Sequence, residues 1–283
     1  MMQQKEICYM SKASEYRIIV RGAGDIATGS IARLFRAGFR PIVLDIAKPS
    51  AIRRTVAFCD AVYEGRVTIE GITARLASSL SDAIEIASND EVPVLIDEEG
   101  RAIAEYKPDA LIDAILAKRN LGTSRDMAPL TIALGPGFEA GVDCRYVIET
   151  MRGHNLGRII EQGSAMANTG TPGVIAGYGK ERVIHAPTSG VIENINKIGD
   201  VVQQGEIIAY INDGAGEKIS VPASIRGLLR GIIRDGYEVS KGLKIADIDP
   251  RLEEHDNCFT ISDKARAIGG SVLELICADF ALR

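Results

Sequence analysis

Ile18-Ile19-Val20-Arg21-Gly22-Ala23-Gly24-Asp25-Ile26-Ala27 is a short β-branched run that breaks into a glycine turn, and its reading decides the fold expected of the N-terminal half. Such a run, bounded by glycines, marks a buried parallel strand. A helix is predicted next, with Ile31, Leu34 and Phe35 at core-facing spacing and Gly38 as its stop. Pro41-Ile42-Val43-Leu44-Asp45 reads as the following strand. A strand, a helix and a second strand in this order form a right-handed crossover by default. The turn satisfies G-x-G-x-x-A: Gly22 permits the tight turn, Gly24 lets a pyrophosphate approach the backbone, and Ala27 allows close packing. Asp45, 21 residues after Gly24, is placed for a ribose hydroxyl. Asp25 cuts the other way, because its charge would occupy the positive end of the helix dipole and repel a phosphate. Arg21 could offset that charge, or Asp25 could simply cap the helix. A nucleotide site and a shell that no longer binds NAD both remain open.

Further elements extend the pattern. Val67-Thr68-Ile69 and Ile72-Thr73-Ala74 flank Glu70-Gly71 as a hairpin, and a helix is expected from the region of Ser81 to Ala87. Val92–Ile96 and Leu130–Leu134 read as buried strands, whereas Ala110–Leu116 fits a helix or a strand. The expected architecture is an α/β Rossmann-like, doubly wound domain over residues 16–180, with ligands beyond the carboxyl ends of its strands. Gly135-Pro136-Gly137-Phe138 is a second rigid turn, whose N–H groups can converge on an anion. Asp143-Cys144-Arg145 could hold a thiol beside a cation and so make it nucleophilic, or be a buried cysteine beside a helical ion pair. Arg145 or Arg152 could meet an anionic group on a ligand. His154, in a glycine-framed loop, is a candidate for a general base.

Between Arg182 and Ile248 the chain repeats itself. Gly190, Gly199, Val202, Gly205, Ile208, Ala209 and Ile211 recur 37 residues later, at Gly227, Gly236, Val239, Gly242, Ile245, Ala246 and Ile248, and Pro187 recurs 35 later at Pro222. Two copies are too few for a solenoid. With short strands punctuated by glycine, the stretch over 181–250 resembles a biotinyl/lipoyl-like barrel-sandwich hybrid, two halves facing each other. The tip joining the copies, Asn212-Asp213-Gly214-Ala215-Gly216-Glu217, has no lysine, and Lys218 falls after it. That implies a docking or structural module in place of a modified carrier. Residues 251–283, with Ser262-Asp263 as a helix cap, are too few to fold alone and should pack back on the first domain. A flexible tail is expected over 1–15, with Met1, Met2 and Met10 each a candidate start.

Composition narrows the function classes. The 283 residues are 46% hydrophobic and 25% charged, with a net charge of −5 and no basic tract, which argues against nucleic acid. No apolar run approaches the roughly 20 residues that span a bilayer, so no membrane role is expected. Cys8, Cys59, Cys144, Cys258 and Cys277 include no C-x-x-C pair and suit reduced thiols in a cytoplasm. His255-x-x-Cys258 is the one suggestive metal pair and reads more simply as a surface loop, so no metal site is expected.

Several segments together carry a resemblance. Arg21–Gly29, Gly135–Phe138, Asp143–Thr150 with Arg152–Gly157, and Ile261–Ala265 before Gly269-Gly270 look like the selenium-dependent molybdenum-hydroxylase accessory family, the YqeB type. The resemblance runs over nearly the whole chain from Tyr16. It implies a cytoplasmic role in maturing a molybdenum hydroxylase client, and it hands over no catalytic residue. On this view the N-terminal domain binds a nucleotide-type ligand, the molybdenum cofactor or a precursor, while the second domain docks the client. An NAD(P)-dependent oxidoreductase of a small metabolite and a non-enzymatic interaction scaffold are the alternatives. Whether the chain is an enzyme, and whether it forms a homo-oligomer, stay open.

Overall fold

The computed structural model describes residues 13–170, 173–214 and 216–282. The chain divides into two compact units. Unit 1 takes residues 1–49, 57–168 and 261–283, and unit 2 takes 50–56 and 169–260. The tail expected over 1–15 falls mostly outside the described residues, although Ala13 is buried.

Unit 1 is built on strands β1 (Ile18–Arg21), β2 (Ile42–Asp45), β3 (Arg66–Ile69), β4 (Ile72–Ala77), β5 (Val92–Ile96), β6 (Ala110–Asp113), β7 (Leu130–Leu134), β8 (Glu139–Ala140), β9 (Tyr146–Ile148), β10 (Ile159–Ile160) and β11 (Gly163–Ser164). Nine of them form one sheet in the order β10-β9-β7-β6-β1-β2-β5-β4-β3, and β8 pairs with β11 separately. The helices are α1 (Asp25–Arg36), α2 (Ala61–Glu64), α3 (Leu80–Ser88), α4 (Arg101–Tyr106) and α5 (Asp263–Ala281). Ala110–Asp113, ambiguous in sequence, is a strand buried at every position.

This sheet corrects the expected Rossmann-like, doubly wound domain. It is mixed: β3 runs antiparallel to β4 at one edge, and β10 antiparallel to β9 at the other. Its helical layers are also incomplete. β6 and β7 are parallel neighbours, yet the chain between them holds only a 3-10 turn at Arg125–Met127. The reason is local, since Lys118-Arg119-Asn120 and Gly122 interrupt any apolar stripe that a crossover helix would bury.

The closest helix packing in unit 1 is between α1 and α5. A Cβ on Gly29 would fall on the Ala265 carbonyl, and one on Gly269 would lie 2.6 Å from the Gly29 carbonyl oxygen. Phe39, just past the end of α1, and Phe280, near the end of α5, stack edge to face with centroids 5.6 Å apart. The two helices therefore run side by side in the same direction, with both N-termini at one end.

Unit 2 contains β12 (Val183–His185), β13 (Gly190–Asn194), β14 (Val201–Val202), β15 (Ile207–Asn212), β16 (Lys218–Pro222), β17 (Gly227–Ile232), β18 (Glu238–Val239) and β19 (Lys244–Asp249). They form two antiparallel sheets, β12-β19-β17-β14 and β16-β15-β13-β18. The expected biotinyl/lipoyl-like barrel-sandwich of two facing halves is corrected here as well. Each sheet mixes both copies of the repeat: β14 of the first pairs with β17 of the second, and β18 of the second with β13 of the first. Apolar residues that recur across the copies, among them Val202, Ile208, Ile211, Val239, Ile245 and Ile248, share one core. Unit 2 starts before the expected boundary at 181 and includes 50–56, and its share of the C-terminal segment ends at Thr260. Among the described residues no helix is long and apolar enough to cross a membrane.

Candidate functional site

Strands β1, β2, β5, β6, β7 and β9 are parallel along the sheet, so their carboxyl ends share one edge. That edge gathers the turn Gly22–Gly24, then Asp45, Asp97, Asp113, Gly135–Gly137, and the chain after Ile148. The backbone of the first turn is held at Ala23 and at the Gly24 carbonyl. Asp45 accepts from the Ala23 N–H at 2.8 Å and from the Ile46 N–H at 2.7 Å. The Cys59 N–H donates to the Ala23 carbonyl at 2.9 Å, and the Thr28 hydroxyl donates to the Gly24 carbonyl at 2.9 Å. Burial raises the Asp45 carboxyl above its usual range against the pull of the two amides, and it raises the Cys59 thiol with the help of Asp45, Asp60 and Asp25.

The four turn glycines do different jobs. Gly22, at φ +95°, lets Ala114 approach, its carbonyl oxygen lying 2.9 Å from where a Cβ would be. Gly135 makes room for the Thr150 hydroxyl and Gly137 for the backbone of Arg119. Gly24 differs: it has ordinary backbone angles, a Cβ there would meet nothing within 4 Å, and it begins α1 with no side-chain cap. Of the four, it alone faces open space, and it does so at the N-terminus of a helix.

The start of α5 lies beside it. Ser262 caps α5 by accepting from the Ala265 N–H, and Asp263 accepts two hydrogen bonds from Arg152, at 2.7 and 2.8 Å. Those bonds hold the Asp263 carboxyl well below the usual carboxylate range. Lys264 is partly buried; burial lowers its pKa, Arg152 lowers it further, and the charges of Asp25, Glu149 and Asp263 oppose the shift. Glu149, 3% exposed, accepts from the N–H groups of Met151 and Met166. Around the open glycine the edge thus brings together two helix N-termini, the cations Lys264 and Arg152, and the carboxylates of Asp25, Glu149 and Asp263.

Several sequence candidates lie elsewhere. Arg145 precedes β9, and its N–H donates to the carbonyl of Thr131 near the start of β7, so it sits at the opposite, amino edge. There it lies 4.0 Å from Asp279 and against the Tyr146 ring. Cys144 is at that edge too. It is fully buried, on no helix, and donates to the Tyr146 carbonyl; burial and then Asp143 push its thiol up to about 11. A thiol this hard to ionise is a poor nucleophile at neutral pH. His154 is exposed in a turn. Arg21 is buried: it donates to the Thr123 hydroxyl, which donates to Asp113, itself 3.6 Å from Arg21. In unit 2 the Cys258 side of the His255-x-x-Cys258 pair is buried, while His255 stacks on Phe259. Among the described residues no group of three or more His, Cys, Asp or Glu is placed to hold a metal ion. Sequence reading missed Lys264, more than 200 residues from Gly24, since nothing local marks it.

The Arg152–Asp263 pair gives a pH prediction. A carboxylate with a lowered folded pKa stabilises the fold above its unfolded value and loses that contribution as pH falls through the folded one. Arg152→Ala should therefore lower Tm at pH 7 by no more than roughly 2–4 °C, because both groups are exposed. The difference from wild type should shrink progressively below about pH 4. Melting curves at pH 7 and pH 3 check this; an undiminished difference at the lower pH rules the pair out as its source.

No protein-family model matches the chain. Over 260 residues it is 51% identical to the uncharacterized protein YqeB of Escherichia coli strain K12, a match covering 92% of this chain and 47% of that protein. The chain is thus similar to YqeB over most of its own length. It spans about half the length of this curated relative. Among solved structures, it is similar to a succinylglutamate desuccinylase/aspartoacylase of Rhodobacter sphaeroides (TM-score 0.23, 20% identity, 32% of this chain and 30% of that one). An aspartoacylase family protein of Mesorhizobium loti gives a TM-score of 0.30, with 12% identity, 83% of this chain and 85% of that one. The Escherichia coli tRNA N6-threonylcarbamoyladenosine dehydratase TcdA gives 0.31, with 11% identity, 98% of this chain and 92% of that one. The first two are named for the desuccinylase and aspartoacylase family, not for a biotinyl or lipoyl carrier.

Proposed function

We propose that this chain is an accessory protein in the maturation of a molybdenum hydroxylase, and that unit 1 holds a small anionic ligand at the carboxyl edge of its sheet. The motif resemblance supports the accessory role. One observation carries the binding role: Gly24 is left uncovered at the start of α1, beside the N-terminus of α5, with Lys264 and Arg152 close by. Two helix N-termini contribute roughly half a positive charge each, which Lys264 reinforces. Asp25 and Glu149 keep the site near neutrality, so an anion gains most where Lys264 and the positive ends of the two helices face it together. The ligand on this reading is a nucleotide-bearing cofactor or precursor, and unit 2 serves the client enzyme.

Gly24→Ala tests the binding role. The new methyl enters open space at permitted angles, so stability should fall by at most about 1 kcal/mol. Inorganic pyrophosphate, titrated calorimetrically, should bind at least tenfold more weakly. Gly22→Ala, strained and clashing, should instead destabilise the protein. Equal pyrophosphate affinity in Gly24→Ala and wild type would remove the turn from the site. For the accessory role, deletion in cells should abolish activity of the molybdenum hydroxylase client; full activity would sink it. Turnover of NADH or NADPH by the purified protein would favour the oxidoreductase reading.

A further inference from the structure

Beyond Asp45, on the same edge, a cavity of about 410 Å³ opens at the end of β5. Its floor is apolar, from Leu80, Leu95 and Ile96, and its rim is acidic, from Glu98 and Glu105. A volume of this size suits part of a small ligand, a single ring system with its sugar. Ile96 is 43% exposed, and Ile46, the residue after Asp45, is 42% exposed, so flat apolar surface lies next to the carboxylates. Asp97 spends both carboxylate oxygens on the N–H groups of Arg101 and Ala102. Arg101, the one cation of the lining, is held by Glu99 at 2.7 Å. Glu98 accepts from the Ala47 N–H at 3.3 Å through one oxygen, so the side chains left to meet a ligand are apolar walls and two acceptors, the other Glu98 oxygen and Glu105. Only a ligand that brings its own donors satisfies them.

The cavity is joined to the open turn. The Asp97 N–H donates to the Asp45 carbonyl at 2.9 Å, and the Asp45 carboxylate accepts from Ala23 inside the turn. β1, β2 and β5 are consecutive in the sheet, so turn and cavity are separated by two strand spacings, about 10 Å. A nucleoside diphosphate can bridge that gap, with its anionic end at Gly24 and its ring in the cavity. We infer that the cavity is a second subsite of the ligand site, selective for an amino-substituted heterocycle whose amine donates to Glu98 and Glu105. This rests on the proposed anion site and adds the chemical class of the ligand's other end.

The test compares adenosine 5′-diphosphate with inosine 5′-diphosphate, which lacks the exocyclic amine, alongside pyrophosphate and adenosine alone. Calorimetry on the full chain should show the adenosine compound binding about tenfold more tightly than the inosine compound, as expected for a hydrogen bond to a charged group. In Glu98→Gln/Glu105→Gln that preference should fall toward parity, with pyrophosphate affinity unchanged as a control on folding. Ile96→Trp, which fills the cavity from an exposed position, should weaken adenosine diphosphate and leave pyrophosphate alone. If pyrophosphate binds but the two nucleotides bind equally, or the preference survives the double substitution, the inference is overturned while the anion site stands. Adenosine binding without any pyrophosphate binding would keep the cavity assignment and overturn the anion site. Binding of none of the four probes would overturn both.

Discussion

Gly29→Ala is expected to destabilise the protein by about 2–3 kcal/mol, the cost of forcing a methyl into packed surroundings. The sign is the informative part. In an exposed helix, replacing glycine by alanine gains about 1 kcal/mol, because alanine restricts the unfolded chain and favours the helix. Here the methyl would land on the Ala265 backbone, 2.7 Å from the Ala265 Cβ, where no flexible side chain can move aside. Gly269→Ala should behave alike, since its Cβ would meet the Gly29 and Ser30 backbone. The two costs should not add. Once one methyl has pushed α1 and α5 apart, the second finds space already open, so the double variant should lose clearly less than the sum. Urea denaturation of the two single variants and the double decides the matter; stabilisation by either single change would show that the helices are not in contact. The same substitutions should weaken pyrophosphate binding, because this crossing holds Lys264 beside the start of α1.

What was legible in the sequence was local. Ile18–Val20, the glycine turn, Ile31 and Leu34, and Pro41–Asp45 announce strand, turn, helix and strand because each signal lies within a few residues of the element it makes. Pairing across the chain was not legible. Arg145 and Arg152 looked equivalent, seven residues apart, but the strand Tyr146–Ile148 between them carries one to the amino edge of the sheet and the other to the carboxyl edge. Arg152 then meets Asp263, a partner 111 residues away. The architecture was misjudged for a related reason. Alternating strand and helix signals imply a helix on every crossover, and the stretch from Ala114 to Ala128 returns to the sheet without one. The repeat of unit 2 was visible as a spacing, yet nothing in a spacing says that β14 and β18 pair with the opposite copy. Glycine was the residue most easily over-read. Of the four in the two turns, three accommodate the chain itself, and only Gly24 is open to a ligand.

Asp247→Ala should be the most damaging single change in unit 2, by about 3–5 kcal/mol, the usual penalty for stranding a buried charge. Asp247 is 2% exposed and Arg182 3% exposed, and the two lie 3.2 Å apart. The second Asp247 oxygen accepts from Arg230 Nε at 2.8 Å, so one carboxylate serves two guanidinium groups. Burial depresses the Arg182 pKa, and the charge of Asp247 is the main influence opposing that shift. Without Asp247, Arg182 keeps its bonds to the carbonyls of Ile248 and Gly173 but loses its only hydrogen-bonded carboxylate among the described residues. It cannot shed its proton as a lysine could, and it would have to leave the core or pull water in. Arg182→Met/Asp247→Leu should recover most of the loss, since apolar side chains of similar size need no partner there, although Arg230 then depends on solvent. Urea denaturation of the single and double variants separates the two possibilities. A double variant as unstable as Asp247→Ala would mean that the pair fixes the register of β19 through specific hydrogen bonds, and not merely by cancelling charge.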